Sequence, residues 1–352
     1  MKHFKFYSKE DILSLTKTRR FETRVGERIQ HLKTEGEWPD VLQESPARYV
    51  LIGIPEDIGI RANYGIGGAT TAWLSFLTSF LNNKSNDFLS GDNILLLGHF
   101  DFGDIKFLID SYAYDPEELV EAYRHAVNII DEEVENMIKV IVACKKIPII
   151  IGGGHNNAYP VIKGTAKGLA KTGAIPLAQI NCVNLDAHTD YGATEGRHSG
   201  NGFKYAEEDG YLGKYCIIGV HENNISQSIL MDIHNNPFID YITFEEIFIH
   251  ERKNFIQAVA HATGFTEDSF TGIELDMDCI ENVLSSAATP NGISALQARQ
   301  YINFAATDAK VAYLHICEGA TQLADGRKNE STGKLISYLV SDFVKALEES
   351  LG

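Results

Sequence analysis

The chain has 352 residues, 44% hydrophobic and 22% charged, a composition typical of a globular protein and unlike that of a disordered one. Its formal net charge of -17 at pH 7 argues against binding to nucleic acid or to an anionic membrane, because both need a basic surface. The sequence has no apolar run long enough to cross a bilayer, and its first residues lack the apolar core of a signal peptide. The five cysteines form no C-x-x-C pair, which favours a reducing compartment. We therefore expect a cytoplasmic protein.

Strand and helix patterns alternate along the chain without a linker, which predicts a single α/β domain over residues 1–352. Residues 1–45 are polar and carry helix patterns from Lys9 to Thr16 and from Val25 to Thr34. We interpret them as an N-terminal arm packed on that domain. Further helices are predicted over Thr70–Phe80, Pro116–Lys145, Tyr159–Lys171 and Thr332–Leu351.

Several apolar stretches have the length of buried strands. Because helix patterns separate most of them, they form β-α-β units, which place parallel strands side by side with helices on both faces. The sequence thus predicts a three-layer α/β/α fold with a doubly wound, mostly parallel sheet of about eight strands. The strand patterns are Ala47–Ile54, Asn93–Leu97, Ile147–Ile151, Gln179–Leu185, Tyr215–Val220, Ile239–Thr243, Thr271–Asp278 and Val311–Ile316.

A loop rich in glycine and polar residues follows the first of these strands, and it contains Arg61 and Asn63. In a doubly wound sheet, ligands bind in loops at the carboxyl ends of the strands. A tight turn with a helix cap is the other interpretation of this loop.

Two further strands run into residues of the kinds that bind metals. Ile147–Ile151 leads to three glycines, which let the backbone turn sharply and deliver His155 at the strand's end. Gln179–Leu185 is followed at alternate positions by Asp186, His188 and Asp190. Without a metal, His155 would be a hydrogen-bonded loop histidine, and the second group would be a helix-capping Asp, a turn His and a solvated Asp.

A third strand carries acidic residues at the period of a strand, so that Glu274, Asp276 and Asp278 share one face. An exposed strand face would explain them, but carboxylates on a core strand are costly without a counter-charge. Carboxylates and imidazoles without thiolates are the ligands that borderline-hard divalent cations prefer. The three strand ends together supply six donors, enough for two bridged metals: His155, Asp186, His188, Asp190, Asp276 and Asp278.

These motifs, Gly-Gly-x-His, Asp-Ala-His-x-Asp and x-x-Asp-x-Asp in this order, resemble the ureohydrolase (arginase-like) superfamily of binuclear manganese enzymes. The resemblance covers roughly residues 49–345. Within the superfamily the chain is most similar to the formimidoylglutamase branch. Gly154 supports this, because arginases and agmatinases usually have Asp there, and Phe203 does so because arginases place a histidine nearby.

The resemblance implies two Mn²⁺ ions per chain, with Asp186 and Asp276 bridging them, His155 and Asp190 completing one site, and His188 and Asp278 the other. It implies that a metal-bridging hydroxide cleaves a C–N bond of a linear amidine, with N-formimidoyl-L-glutamate giving L-glutamate and formamide. Asp190 is the expected proton shuttle to the departing amine. His198 is a second candidate for this role, with an exposed loop histidine as its alternative.

Substrate contacts are expected from the loops around the strand ends. Gln297 stands where the family generally has a Glu that contacts the cationic group, and an amide there keeps an acceptor oxygen but loses the charge. Glu274, where relatives often have a small residue, is an extra carboxylate that either tunes the centre or pairs with a buried cation. The expected substrate-binding residues are Asn201, Arg61, Asn63, Glu222, Gln297 and Glu318.

Two other functions stay open. One is an arginase- or agmatinase-type hydrolase that releases urea from a guanidino compound. The other is a non-catalytic metal-binding relative. The expected partner is a small amidine or guanidino molecule, and assembly into a homo-oligomer is left open.

Overall fold

A computed structural model describes residues 2–32, 38–112, 115–307 and 310–351. Its strands form one nine-stranded sheet in the order β1-β3-β2-β4-β9-β8-β5-β6-β7. The strands are β1 (Phe4–Phe6), β2 (Tyr49–Gly53), β3 (Ile94–Phe100), β4 (Ile147–Ile151), β5 (Ile180–Leu185), β6 (Leu212–Val220), β7 (Ile239–Thr243), β8 (Thr271–Asp276) and β9 (Val311–Cys317).

The predicted α/β/α fold with a mostly parallel sheet is confirmed, with one strand more than the sequence pattern indicated. All neighbouring strands pair in parallel except β1, which pairs antiparallel with β3 at one edge. β1 is only three residues long, too short to show a strand period. The Phe4 ring packs edge-on against Phe100, 4.9 Å between centroids, which holds this part of the predicted N-terminal arm on the sheet.

Helices cover both faces of the sheet, each over its own hydrophobic core. The first core contains side chains of α1 (Lys9–Leu15), α2 (Val25–Arg28), α5 (Ala72–Leu81), α11 (Phe244–Phe248), α12 (Phe255–Thr266), α13 (Ala295–Ala305) and α14 (Thr332–Leu351). The second contains side chains of α3 (Trp38–Glu44), α4 (Ile58–Arg61), α7 (Pro116–Ala143), α8 (Ala158–Thr172), α9 (Gly202–Glu208) and α10 (Gln227–Asn235), with α6 (Gly103–Tyr112) packed on α7.

The helix ends follow local chemistry. α1 begins after Ser8, whose side chain accepts from the Asp11 amide in a capping box, and α7 begins after Asp115, which caps the amide of Glu117. α2 ends at Arg28 and is shorter than predicted; residues 33 and 34 of the predicted helix lie outside the described residues.

Side chains alternate between the two faces of a strand. Those of residues 184, 274 and 315 in the central strands lie on the face of the sheet that carries the second hydrophobic core. Asn184 pairs with Glu274, and Glu274 pairs with His315, in the register of β5, β8 and β9. The carboxyl ends of β4, β9, β8 and β5 are also neighbours, so residues just beyond these four ends meet at one edge of the sheet.

In the described part of the chain, every helix falls short of the length or the hydrophobicity that a membrane-spanning segment requires.

Candidate metal centre

His155 reaches the centre through a glycine turn after β4. Gly152 and Gly153 adopt φ angles of 94° and 82°, which only glycine adopts without strain. A Cβ on Gly153 would lie 2.6 Å from the carbonyl oxygen of Ile54, so the turn also requires the absence of a side chain. The His155 amide then donates to Oε1 of Glu318 at 2.9 Å, which fixes the backbone of the histidine against the end of β9.

The ends of β5 and β8 carry the same local turn. Oδ1 of Asp186 accepts from the amide of His188, and Oδ1 of Asp276 accepts from the amide of Asp278, both at 2.7 Å. An aspartate that bonds to the amide two residues ahead curls the backbone. Because of this turn, His188 lies beside Asp186 and Asp278 lies beside Asp276, whereas in an extended strand each would lie further along the chain direction.

The first group of candidate ligands contains His155, Asp186, Asp190 and Asp276. Nδ1 of His155 lies 2.7 Å from Oδ2 of Asp190, 3.2 Å from Asp186 and 3.3 Å from Asp276. Although these distances are short, no described residue is aligned to form a hydrogen bond with this nitrogen. A buried ring nitrogen that faces three carboxylates in this way fits a cation-binding site.

The second group contains Asp186, His188 and Asp278. Nδ1 of His188 lies 3.1 Å from Oδ2 of Asp278 and 3.6 Å from Oδ1 of Asp186. Oδ1 of Asp278 is buried and has no hydrogen-bond partner among the described residues. Asp276, which the resemblance assigns to both sites, belongs to the first group only.

Burial and mutual repulsion raise the pKa values of most carboxyls in the centre. Burial, with the negative charge of Asp278, raises the pKa of Asp276 well above its usual value. For Asp278, burial outweighs the nearby His188 and raises the pKa to about 6. Burial would also raise the pKa of Asp186, but the adjacent imidazoles of His155 and His188 hold it well below the usual range. The cluster therefore holds more acid than its histidines neutralise, as a divalent cation site requires.

A cavity of about 250 Å³ opens over these groups. His188, Asp190, Asp276, Asp278 and Glu318 line its floor. The rim carries neutral polar groups: Asn63, Ser199, Gly200, Asn224 and Ser286. None of the described residues that line the cavity is Lys or Arg.

Two predicted site residues have structural roles in the loop after Asp190. Oδ1 of Asn201 accepts from Arg197 and from the His198 amide, while its Nδ2 donates to two backbone carbonyls, so all its hydrogen-bonding groups are used within the loop. His198 is buried, and its Nδ1 accepts from the Gly200 amide. Neither residue lines the cavity, so their geometry does not support substrate binding by Asn201 or proton transfer by His198.

Three more predicted substrate contacts also lie off the cavity lining. Arg61 pairs with Asp57, at 3.2 Å from Nε to Oδ1. Gln297 closes a capping box at the start of α13, where its Oε1 accepts from the amide and hydroxyl of Ser294. Glu222 is exposed. The Ser-x-x-Gln spacing of that capping box was the available signal for Gln297.

Other polar groups that shape the centre were not predicted. Glu56 is buried and accepts from the amides of Ile58 and Gly154, which ties the loop after β2 to the turn before His155. Arg197 is buried and forms a two-point ion pair with Asp131 of α7. For Glu56, the only signal in the sequence is that a charged residue stands close to the end of a strand. Arg197 and Asp131 are too far apart in the chain for the sequence to suggest that they pair.

The chain is similar to known proteins in sequence and in fold. A sequence model described as Arginase family matches residues 47–344. Formimidoylglutamase of Staphylococcus aureus (strain JH9) is 25% identical over 254 residues, which cover 70% of this chain and 74% of that protein. Among solved structures, formimidoylglutamase from Bacillus subtilis matches with a TM-score of 0.72 at 16% identity, over 95% of this chain and 94% of that one. Trypanosoma cruzi formiminoglutamase with Mn²⁺ matches with a TM-score of 0.68 at 18% identity, over 92% and 98%.

Proposed function

Since the chain belongs to the arginase family, we propose that it is a manganese hydrolase that cleaves N-formimidoyl-L-glutamate to L-glutamate and formamide. The observation that carries this proposal is the convergence of two ligand groups at adjacent strand ends, under a cavity of about 250 Å³. The similarity to formimidoylglutamases of Staphylococcus aureus and Bacillus subtilis supports the choice of substrate.

The first group, His155, Asp186, Asp190 and Asp276, would hold one Mn²⁺, and His188, Asp186 and Asp278 the other. Carboxylate and imidazole ligands suit Mn²⁺, and the similarity to Trypanosoma cruzi formiminoglutamase with Mn²⁺ supports this metal. Two bound divalent ions would make water acidic enough to supply a nucleophile near neutral pH and would stabilise the negative charge that develops.

Asp190 is the residue that we assign to proton transfer. It lines the cavity, and its Oδ2 faces Nδ1 of His155. Its backbone has φ 44°, a left-handed conformation that is uncommon outside glycine and that directs this carboxylate between the ligand group and the cavity. In the proposed reaction Asp190 takes a proton from water and delivers it to the departing amine nitrogen.

Glu318 and the rim would bind the two ends of the substrate. Glu318 lies on the floor, where its carboxyl oxygens would accept hydrogen bonds from the amidine nitrogens. The rim offers neutral donors to the two carboxylates of the substrate, including Nδ2 of Asn63, which donates to Ser199 Oγ at 3.3 Å. The space above Gly154 is filled by Asn156 and Ile60, so the aspartate that arginases carry at this position would not fit without rearrangement.

One observation favours a second candidate, the hydrolysis of a guanidino compound with release of urea. No Lys or Arg lies among the described residues that line the cavity. A substrate with fewer carboxylates, such as agmatine, would therefore suit its charge better than formimidoylglutamate does.

The deciding experiment is hydrolysis by the Mn²⁺-loaded protein of formimidoylglutamate, arginine, agmatine and guanidinobutyrate, assayed in parallel for formamide and urea. Formamide from formimidoylglutamate alone is the expected result. Urea from a guanidino substrate would establish the second candidate, and the absence of product from all four would contradict both.

A further inference from the structure

Glu274 is a fully buried carboxylate one strand step below Asp276, and the proposed reaction leaves it without a role. It lies in the middle strand of three, between Asn184 of β5 and His315 of β9 in register. The three side chains form a polar row across the sheet directly beneath the candidate metal ligands. A buried carboxylate is costly unless its neighbours compensate its charge.

Three groups compensate the Glu274 carboxylate. Its Oε1 accepts from the Tyr313 hydroxyl at 2.6 Å, and its Oε2 lies 2.6 Å from Nδ1 of His315. Oε2 also lies 3.4 Å from Nε2 of His155. Tyr313 and His315 thus fix the carboxylate from β9, and its remaining contact is with a candidate metal ligand.

The sequence of β8 makes room for this arrangement. Gly272 pairs with Tyr313, and a Cβ on Gly272 would overlap the Tyr313 ring. Because position 272 has no side chain, the ring lies across β8 and its hydroxyl reaches Glu274. Gly272, Glu274, Tyr313 and His315 therefore form one unit, and the interaction does not depend on a single contact.

The two ring nitrogens of His155 face opposite surroundings. Nδ1 faces the carboxylates of Asp186, Asp190 and Asp276, whereas Nε2 lies 3.4 Å from Oε2 of Glu274 and, like Nδ1, is not aligned to form a hydrogen bond with any described residue. A carboxylate beside Nε2 stabilises the proton on that nitrogen and leaves the lone pair on Nδ1, which is the form that binds a metal.

We propose that Glu274 is a positioning residue that holds His155 with Nδ1 directed at the first metal, and that Tyr313 and His315 keep Glu274 in place for this purpose. This inference deepens the proposed function and rests on it. It gives Glu274, the extra carboxylate of β8, a role in the binding of one of the two proposed ions, the one that His155 would ligate. Replacing such outer partners costs about 10- to 100-fold in metal affinity.

The test is titration calorimetry of Mn²⁺ into the metal-free full chain, with thermal unfolding of the metal-free protein measured in parallel. In Glu274→Gln we expect one of two Mn²⁺ ions to bind about 10- to 100-fold more weakly and the other to change less than about threefold. Tyr313→Phe keeps the carboxylate and removes one of its donors, so it should weaken the same ion by about three- to tenfold. It also tests the proposal if Glu274→Gln does not fold.

Tyr301→Phe is the matched control. The Tyr301 hydroxyl is equally buried and donates to the backbone carbonyl of Glu274, so its removal disturbs the same strand without touching the carboxylate. We expect both ions to bind this variant as they bind the wild type. Equal weakening of both ions in Glu274→Gln and Tyr301→Phe would overturn the proposal and indicate general damage to the strand.

The two proposals fail in different ways. If the wild type binds two Mn²⁺ ions and Glu274→Gln binds them equally well, the positioning role is wrong and the proposed centre stands. If the wild type binds no Mn²⁺, the proposed centre is wrong and the positioning role falls with it.

Discussion

Nδ1 of His155 lies 2.7 Å from Oδ2 of Asp190, while the other histidine of the centre, His188, faces Asp278. The two imidazoles thus belong to different ligand groups that share Asp186. This division predicts that the two proposed metal sites can be removed one at a time.

We expect His155→Asn and His188→Asn each to bind one Mn²⁺ where the wild type binds two, with the lost ion weakened by more than about 100-fold because a direct ligand is missing. Metal analysis after dialysis and titration calorimetry measure this. His261→Asn, which removes a surface histidine paired with Asp240, is the control and should bind as the wild type. Loss of both ions in either site variant would contradict two separable sites.

Mn²⁺ binding is expected to release protons near pH 6. Burial raises the pKa of Asp278 to about 6, and the pKa values of Asp190 and Asp276 are also shifted upward. A carboxylate must lose its proton to bind a metal, so affinity should fall as the pH falls through about 6. Calorimetry at pH 6 in two buffers of different ionisation enthalpy measures the released protons. Identical heats in both buffers would show that no proton is released.

His198 should contribute to acid sensitivity of the fold. Burial and the positive charge of Arg124 lower its pKa to about 4. The unfolded state therefore binds a proton near pH 6.5 and the folded state only near pH 4. The stabilisation by this histidine is complete above pH 6.5 and is lost as the pH falls from 6.5 to 4, on the order of 3 kcal/mol in total.

The comparison of wild type with His198→Asn isolates this effect, because the carboxyls with raised pKa values act in the opposite direction and are common to both proteins. The measurement is urea unfolding of both metal-free proteins between pH 4 and 7. The difference between wild type and His198→Asn in the free energy of unfolding should change across this range. A difference that is independent of pH would mean that His198 does not titrate as its surroundings indicate.

The parts of the centre that the sequence predicted share a local origin. Asp186 directly follows β5, Asp276 ends β8, and His155 follows β4 after three glycines. Parallel strands bring their carboxyl ends to one edge of a sheet whatever the connections between them. The i to i+2 turns at Asp186 and Asp276 are also local. Such features depend on a few neighbouring residues, so a pattern in the sequence can reveal them.

The predicted site residues that lie off the cavity lining depend on contacts that loops make with distant parts of the chain. Asn201 faces into its own loop because Arg197 is held by Asp131 of α7, and no spacing in the sequence indicates that pairing. The strand β1 was missed because its pairing with β3 arises from tertiary packing of Phe4 and Phe100. Asn224 lines the cavity where Glu222 was expected, since a short helical turn reverses which side chain points inward.

The rim predicts how substrate affinity responds to mutation. Asn63 lines the cavity and donates to Ser199. In the proposed binding mode it would contact the end of the substrate that does not react, so Asn63→Ala should raise the KM for the preferred substrate by about tenfold and change kcat much less. Steady-state kinetics of the Mn²⁺-loaded enzyme measure both constants. Glu222→Gln, at an exposed position off the cavity lining, is the control and should leave both unchanged. A rise in KM for the control would restore Glu222 as a substrate contact.

The close approach of Gly272 and Tyr313 gives the last prediction. A methyl group at position 272 would overlap the Tyr313 ring, and both residues are fully enclosed in the sheet, so Gly272→Ala should destabilise the metal-free protein by about 1–3 kcal/mol. Tyr313→Leu removes the ring and with it the overlap. In a double-mutant cycle the two changes together should therefore cost at least about 1 kcal/mol less than the sum of the single changes. Urea unfolding of all four proteins measures the cycle. If the losses in the free energy of unfolding were additive, the glycine would be required for another reason. The position of the Tyr313 ring beside Glu274 would then not depend on the absence of a side chain at position 272.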